Sequence, residues 1–63
     1  MKIIYESTTG FIKAICTPTQ NVEAVKSNYR NVEVLETEIR TIDKDQIGLY
    51  WVNPNTLTFE LRP

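Results

Sequence analysis

Two apolar runs joined by a short polar turn begin the chain. They read Lys2-Ile3-Ile4-Tyr5-Glu6, then Ser7-Thr8-Thr9-Gly10, then Phe11-Ile12-Lys13-Ala14-Ile15-Cys16. β-Branched and aromatic residues favour strands, and a glycine at the end of such a turn can take the positive φ that closes a hairpin. The segment therefore predicts a β-hairpin with strands over residues 2–6 and 11–16.

Both faces of this hairpin are apolar. Strict alternation along the second strand places Ile12, Ala14 and Cys16 on one face. On the first strand it places Ile3 and Tyr5 together. Two apolar faces indicate either that the hairpin is covered on both sides or that one face is a contact surface. The sequence leaves both interpretations open.

A helical spacing follows the hairpin. Three apolar or aromatic residues fall on one helical face: Val22, Val25 and Tyr29. This spacing predicts a short helix over residues 22–29, with Thr19 or Asn21 capping its first turn through a side-chain oxygen. Asn31 is expected to take a left-handed conformation after the helix.

The second half of the chain predicts three more strands. Alternating apolar and acidic residues indicate a strand over residues 32–38, with its acidic side in water. Residues 40–46 are the most polar stretch and predict a loop. Alternation beyond them predicts a second hairpin, with strands over residues 47–52 and 57–62 and a turn at residues 53–56.

The two predicted turns resemble each other when Glu6-Ser7-Thr8-Thr9-Gly10 is laid on Asn53-Pro54-Asn55-Thr56-Leu57. Leu57 stands where the first turn has Gly10, and a leucine disfavours a positive φ, so the second turn is expected to close differently. Together the elements predict a single domain over residues 1–63 of the α+β class. Two β-hairpins and a further strand form a mostly antiparallel sheet, with one short helix packed on a face.

Composition narrows the classes of function. Seven Lys+Arg against eight Asp+Glu give a net charge of -1, without the positive excess that binding to nucleic acid requires. The sequence has no apolar run of transmembrane length, and its first apolar run meets Glu6 too early for a signal peptide. The single cysteine cannot form an internal disulfide. We therefore expect a cytoplasmic protein that binds neither nucleic acid nor a membrane.

The sequence contains few of the residue types and motifs that catalytic sites use. The chain has no histidine, which removes the commonest general base and a common metal ligand. Gly10 and Gly48 are too few for a phosphate-binding loop. Cys16 is interpreted as a buried strand cysteine, with a reactive thiol as the alternative. We expect no enzymatic activity, no metal and no cofactor.

Two consecutive aromatic residues, Tyr50 and Trp51, must point to opposite faces of their strand. If Trp51 faces the core, Tyr50 and Val52 lie outside, where Tyr5 or Phe11 can join them in an exposed aromatic patch. These four residues, Tyr5, Phe11, Tyr50 and Val52, are the candidate protein-binding site. The alternative is that both faces are covered and no patch exists. The sequence leaves open which of the two consecutive aromatic residues is buried.

The opening residues carry a resemblance to a group of known proteins. They read Met1-Lys2-Ile3-Ile4-Tyr5-Glu6-Ser7-Thr8-Thr9-Gly10-Phe11-Ile12. This stretch resembles the start of small phage and prophage proteins of Gram-positive bacteria, where a strand ending in tyrosine leads through an acid-x-x-Thr-Gly turn. The resemblance covers about a fifth of the chain. It implies a virion accessory or host-interacting protein, with no catalytic residues.

These observations favour a small non-enzymatic module for protein–protein interaction. It would bind through the aromatic patch or by adding a partner strand to an open edge such as residues 32–38. The alternative is a structural subunit that self-associates into a symmetric assembly, such as a virion component, and buries the apolar faces of the first hairpin between copies.

Overall fold

The computed structural model describes residues 1–38, 43 and 45–63. Within them lie five strands, named β1 (Lys2–Glu6), β2 (Ile12–Cys16), β3 (Val32–Glu36), β4 (Tyr50–Asn53) and β5 (Thr58–Leu61). One α-helix, α1 (Val22–Lys26), lies between β2 and β3, and a 3₁₀ turn (Ile47–Leu49) precedes β4. The α+β class predicted from the sequence is confirmed.

The strands form two antiparallel sheets. The larger sheet has the order β2-β1-β3, so the first strand of the chain is its centre. The smaller one, here called the ribbon, pairs β4 with β5. A single bridge between Phe11 and Trp51 connects the two sheets in the described part of the chain.

A β-bulge changes the faces of the first hairpin. Ile4 pairs with Ala14 whereas Tyr5 pairs with Ile12, so Lys13 is the extra residue of β2. One extra residue inverts the direction of the side chains beyond it, so Ile12 lies on the face opposite to Ala14. The expectation that these two residues share a face is wrong, because strict alternation ends at the bulge.

Both faces of the three-stranded sheet are covered. The ribbon covers one face through a buried cluster of Ile3, Tyr5 and Val52, surrounded by Ile12, Ile15, Leu35 and Phe59. The helix covers the other through Ile4, Cys16 and Val32, surrounded by Ala14, Val22, Val25 and Val34. Of the two interpretations left open by the sequence, the structure shows the covered hairpin. The buried position of Cys16 is also confirmed.

The helix is shorter than residues 22–29 predicted. Asn21 is the cap, and its side-chain oxygen accepts the N–H of Ala24 at 3.3 Å. The helix ends because the hydroxyl of Ser27 bonds to the Ala24 carbonyl at 2.7 Å and the next turns tighten. Tyr29 therefore lies outside the helix and is 39% exposed, so its predicted place on the apolar helical face is wrong.

Strand boundaries also differ from the prediction. Strand β3 ends at Glu36, two residues before the predicted limit of 38. The first residues of the predicted strand 47–52 form the 3₁₀ turn instead, where the N–H of Leu49 donates to the carbonyl of Gln46 at 2.9 Å. The predicted loop at residues 40–46 lies largely outside the described residues.

The two hairpin turns close in the same way. In the first, the N–H of Gly10 donates to the carbonyl of Glu6 at 2.8 Å, and Gly10 has φ 79°. In the second, the N–H of Leu57 donates to the carbonyl of Asn53 at 2.7 Å, and Leu57 has φ 57°. The expectation of a different closure is wrong, because this bond requires a left-handed residue at the fifth position even when that residue is a leucine. Asn31, with φ 57°, confirms the left-handed conformation predicted there.

Gly10 has a second constraint that Leu57 lacks. Its carbonyl accepts the N–H of Val52 at 2.9 Å, which brings the turn of the first hairpin against β4. A Cβ atom at Gly10 would overlap with the carbonyl oxygen of Val52 and touch the Trp51 ring at 3.0 Å. A glycine is therefore needed here for both its φ and its size.

Replacing Leu57 by glycine is expected to stabilise the protein. A left-handed conformation costs a leucine about 1–2 kcal/mol, and the extra chain entropy of an unfolded glycine offsets about 0.5–1 kcal/mol of this gain. The side chain is 55% exposed, so little apolar burial is lost. Urea denaturation of L57G should show a free energy of unfolding higher by about 0.5–1 kcal/mol. A lower value would show that the leucine side chain contributes packing that outweighs the strain.

Replacing Gly10 by alanine is expected to destabilise the protein by at least about 2 kcal/mol, since the new methyl group meets both a positive φ and the β4 backbone. The matched control is G48A, because a Cβ atom at Gly48 meets nothing within 4 Å. The control should change the free energy of unfolding by no more than about 0.5 kcal/mol. Equal stability of both variants would contradict the close approach of the turn to β4.

Candidate functional site

The candidate patch of Tyr5, Phe11, Tyr50 and Val52 is not formed as an exposed surface. Tyr5 is 5% exposed and Val52 is fully buried, both in the cluster beneath the ribbon. Their predicted exposure is wrong, because β4 turns Val52 rather than Trp51 toward the three-stranded sheet. Tyr50 is half-buried, and Trp51 is half-buried on the opposite face, so neither is fully hidden.

The two remaining aromatic candidates, Tyr50 and Phe11, pack against different partners. Tyr50 stacks on Phe59, with ring centroids 4.9 Å apart and planes 15° apart. Phe11 is 42% exposed, and the guanidinium carbon of Arg62 lies 4.4 Å from its ring centroid. This cation–π contact covers part of the Phe11 ring. The aromatic side chains therefore pack mainly within the chain instead of gathering on one surface.

The open edge of β3 is a stronger candidate. Met1 and Thr37 exchange two backbone hydrogen bonds, at 3.0 and 2.9 Å, and the N–H of Ser7 donates to the carbonyl of Asn31 at 2.9 Å. In an antiparallel pair every second residue of a strand bonds to its neighbour, so these bonds show which residues of β3 bond to β1. The odd-numbered residues of β3 bond to β1, so the N–H and C=O groups of the even-numbered residues point away from it. They belong to Val32, Val34 and Glu36.

A groove borders this edge on the helix side. Helix α1 makes its main contacts with β2, so a groove remains between the helix and β3 although Val32 is buried. The larger cavity, of about 510 Å³, has Val22 and Val34 as its apolar part. A second cavity of about 330 Å³ continues along the helix past Val32. Glu23 lines both, and we name the whole depression the α1–β3 groove.

The charges around the edge are mainly acidic. Glu23 and Glu36 line the groove, and Glu33 is exposed on the other face of β3. No ion pair joins these three carboxylates to a cation among the residues that the structure describes. Lys2 and Lys26 lie at the groove as well, one in each cavity. The edge thus combines free backbone groups, a cleft in which three valines lie among polar side chains, and three carboxylates without an ion pair in the described part of the chain.

Sequence reasoning found the edge but not the groove. The strand pattern predicted β3 and its acidic side, and named it as an open edge. The groove depends on where a five-residue helix sits across the sheet, for which no local pattern exists. The acidic residues of the predicted strand, among them Glu33 and Glu36, were the signal of this site in the sequence, and nothing in the sequence connected Glu23 with them.

Two other glutamates serve the hairpin turns. The hydroxyls of Thr9 and Thr8 donate to Glu6 at 3.1 and 3.2 Å, and the hydrogen bond from Thr9 is the main reason that the pKa of Glu6 is lowered. Asn53 and Thr58 each donate to Glu60 at 2.9 Å and lower its pKa, Asn53 more strongly. Both carboxylates thus favour the folded state when they are ionised.

Acid is therefore expected to weaken the fold through these two turns. A lowered pKa in the folded state means that the stabilisation is present above the ordinary glutamate pKa and is lost as the pH falls through the lowered value. The melting temperature should fall across this acidic range, and the double variant E6Q/E60Q should show a weaker fall. Melting curves followed by circular dichroism at a series of acidic pH values test this, and an unchanged slope in the double variant contradicts it.

Comparisons with known proteins end without a relative. Neither the known protein families, nor the curated proteins, nor the solved structures contain a match to this chain. No helix in the described part of the chain is long and apolar enough to cross a membrane. The described residues also hold no cluster of three or more cysteine or acidic side chains suited to a metal ion.

Proposed function

We propose that the protein is a non-enzymatic binding module whose β3 edge accepts an extended segment of another protein as an additional strand. The observation that supports this most is the row of outward N–H and C=O groups at Val32, Val34 and Glu36. No strand among the described residues pairs with this row. In strand addition, such backbone groups supply affinity, and a neighbouring cleft supplies specificity.

The groove and the edge fit one ligand together. Side chains of β3 at Val32, Val34 and Glu36 lie on the helix face of the sheet, where the groove is. A strand that bonds to these residues therefore places every second side chain beside the groove. The aromatic residues support a binding role less well, because they pack within the chain.

A foreign segment is favoured over a second copy by charge. Antiparallel pairing of two β3 edges gives Glu33 and Glu36 no cation to face, because strand β3 has no lysine or arginine in either copy. Opposite charges across two strands stabilise their pairing, and a foreign segment can supply them. The self-associating subunit is therefore the weaker alternative. A cytoplasmic location and a phage origin belong to the same proposal, the first supported by the lone Cys16 and the second by the resemblance of residues 1–12.

The experiment begins with the selection of binders to the immobilised protein from a library of random linear peptides. Amide hydrogen exchange of the protein is then measured with and without the selected peptides. Strand addition should protect the amides of Val32, Val34 and Glu36. A failure to select any peptide, or protection confined to other residues, would overturn the proposal. If these amides are protected without any peptide, and the protection increases with protein concentration, the edge pairs with a second copy of the chain and self-association replaces the proposal.

Replacing Val34 by proline is expected to weaken binding of the selected peptides by at least about tenfold. The outward N–H disappears and the proline ring occupies its place, whereas the ladder to β1 keeps its bonds. V34T is the matched control, since it retains the branched shape and the N–H, and it should bind within about threefold of the original chain. E36P removes the next outward N–H and serves if V34P does not fold. Binding that is unchanged in both proline variants would contradict the proposal.

A further inference from the structure

The order of side chains along β3 determines which residues a bound strand should carry opposite each of them. Resting on the proposed strand addition, we infer that the bound segment has basic residues opposite Glu36 and Glu33 and apolar residues opposite Leu35, Val34 and Val32. Read along an antiparallel partner, the order is basic, apolar, apolar, basic, apolar. We assign the bound segment an antiparallel orientation because both strand pairs of this sheet, β1–β2 and β1–β3, are antiparallel. Antiparallel pairing is also more stable per residue than parallel pairing.

On the helix face, the apolar positions follow from the groove. The partner residue opposite Val34 shares its face, so its side chain lies beside Val34 and Val22. The residue opposite Val32 lies at the second cavity, next to the apolar cluster beneath the helix. An apolar side chain at either position gains contact with these valines, whereas a charged side chain would leave them uncovered. Apolar side chains are therefore preferred at both.

The first basic position also lies on the helix face. Glu36 and Glu23 both line the larger cavity, and neither has an ion pair in the described part of the chain. A lysine or arginine opposite Glu36 therefore meets two carboxylates, against the single charge of Lys2 on the inner side. The balance of charge at this end of the groove favours a cation.

The second basic position lies on the other face. Glu33 and Leu35 share that face, with Glu33 exposed and Leu35 half-buried against the core beneath the ribbon. A cation opposite Glu33 forms a cross-strand pair, and an apolar residue opposite Leu35 extends the cover of that cluster. The basic and apolar positions therefore do not simply alternate, which distinguishes this order from a generic amphipathic strand.

The inner neighbour of β3 already follows part of this order. Strand β1 places Lys2 opposite Glu36, Ile3 opposite Leu35 and Ile4 opposite Val34. The outer edge presents the same side chains to a second strand. A segment that matches β3 on its outer side thus resembles the start of β1, apart from the cation opposite Glu33.

Two synthetic peptides test the inference. One has lysine, isoleucine, valine, lysine and valine in that order between neutral flanks, and the other has glutamate in place of both lysines. Calorimetric titration should show the lysine peptide binding at least about tenfold more tightly at low salt, with a difference that shrinks as salt rises. The protein variant E33K/E36K should reverse the preference. Both substituted residues are exposed, so the fold should be retained.

The outcomes separate this inference from the proposed function. If both peptides protect the amides of Val32, Val34 and Glu36 with equal affinity, the charge order is wrong and strand addition stands. If the lysine peptide binds more tightly without protecting those amides, the attraction is merely electrostatic and the inference fails. If neither peptide protects them, and no library peptide does, strand addition itself fails.

Discussion

The close approach of Gly10 to Val52 holds the two sheets together. One backbone hydrogen bond joins the turn of the first hairpin to β4, and the Phe11–Trp51 bridge continues it. Because this contact fixes β4 on the sheet, Val52 points inward and fills the cluster with Ile3 and Tyr5. Seven residues later along the ribbon, Phe59 reaches the same cluster. A small chain thus obtains two thin cores, one on each face of a single central sheet.

Much of the fold was accessible from local patterns. Strand β1 and the left-handed Asn31 are determined by neighbours in sequence and were predicted, and the cap at Asn21 was one of two predicted alternatives. The errors lie where distant contacts decide. The bulge at Lys13 and the left-handed Leu57 follow from how the hairpins close and pack, and a pattern of alternation contains neither.

The features of the candidate site also differ in whether local sequence or tertiary packing determines them. Alternation predicted the acidic strand β3 and offered it as an example of an open edge, but its edge position comes from the strand order of the structure. The exposed patch expected around Tyr50 is absent because the ribbon packs Tyr5 and Val52 into the core. Alternation along a strand requires Tyr50 and Trp51 to point to opposite faces, but it does not determine which of the two faces the three-stranded sheet. The groove required the position of the helix, which tertiary packing sets.

The layered arrangement leaves a natural reporter on each side of the central sheet. The chain has one cysteine and one tryptophan, with Cys16 buried beneath the helix and Trp51 at the junction of the ribbon with the first hairpin. Alkylation of the thiol requires the helical layer to lift, while indole fluorescence responds to detachment of the ribbon. The two signals distinguish a domain that opens as one cooperative unit from one whose layers separate independently.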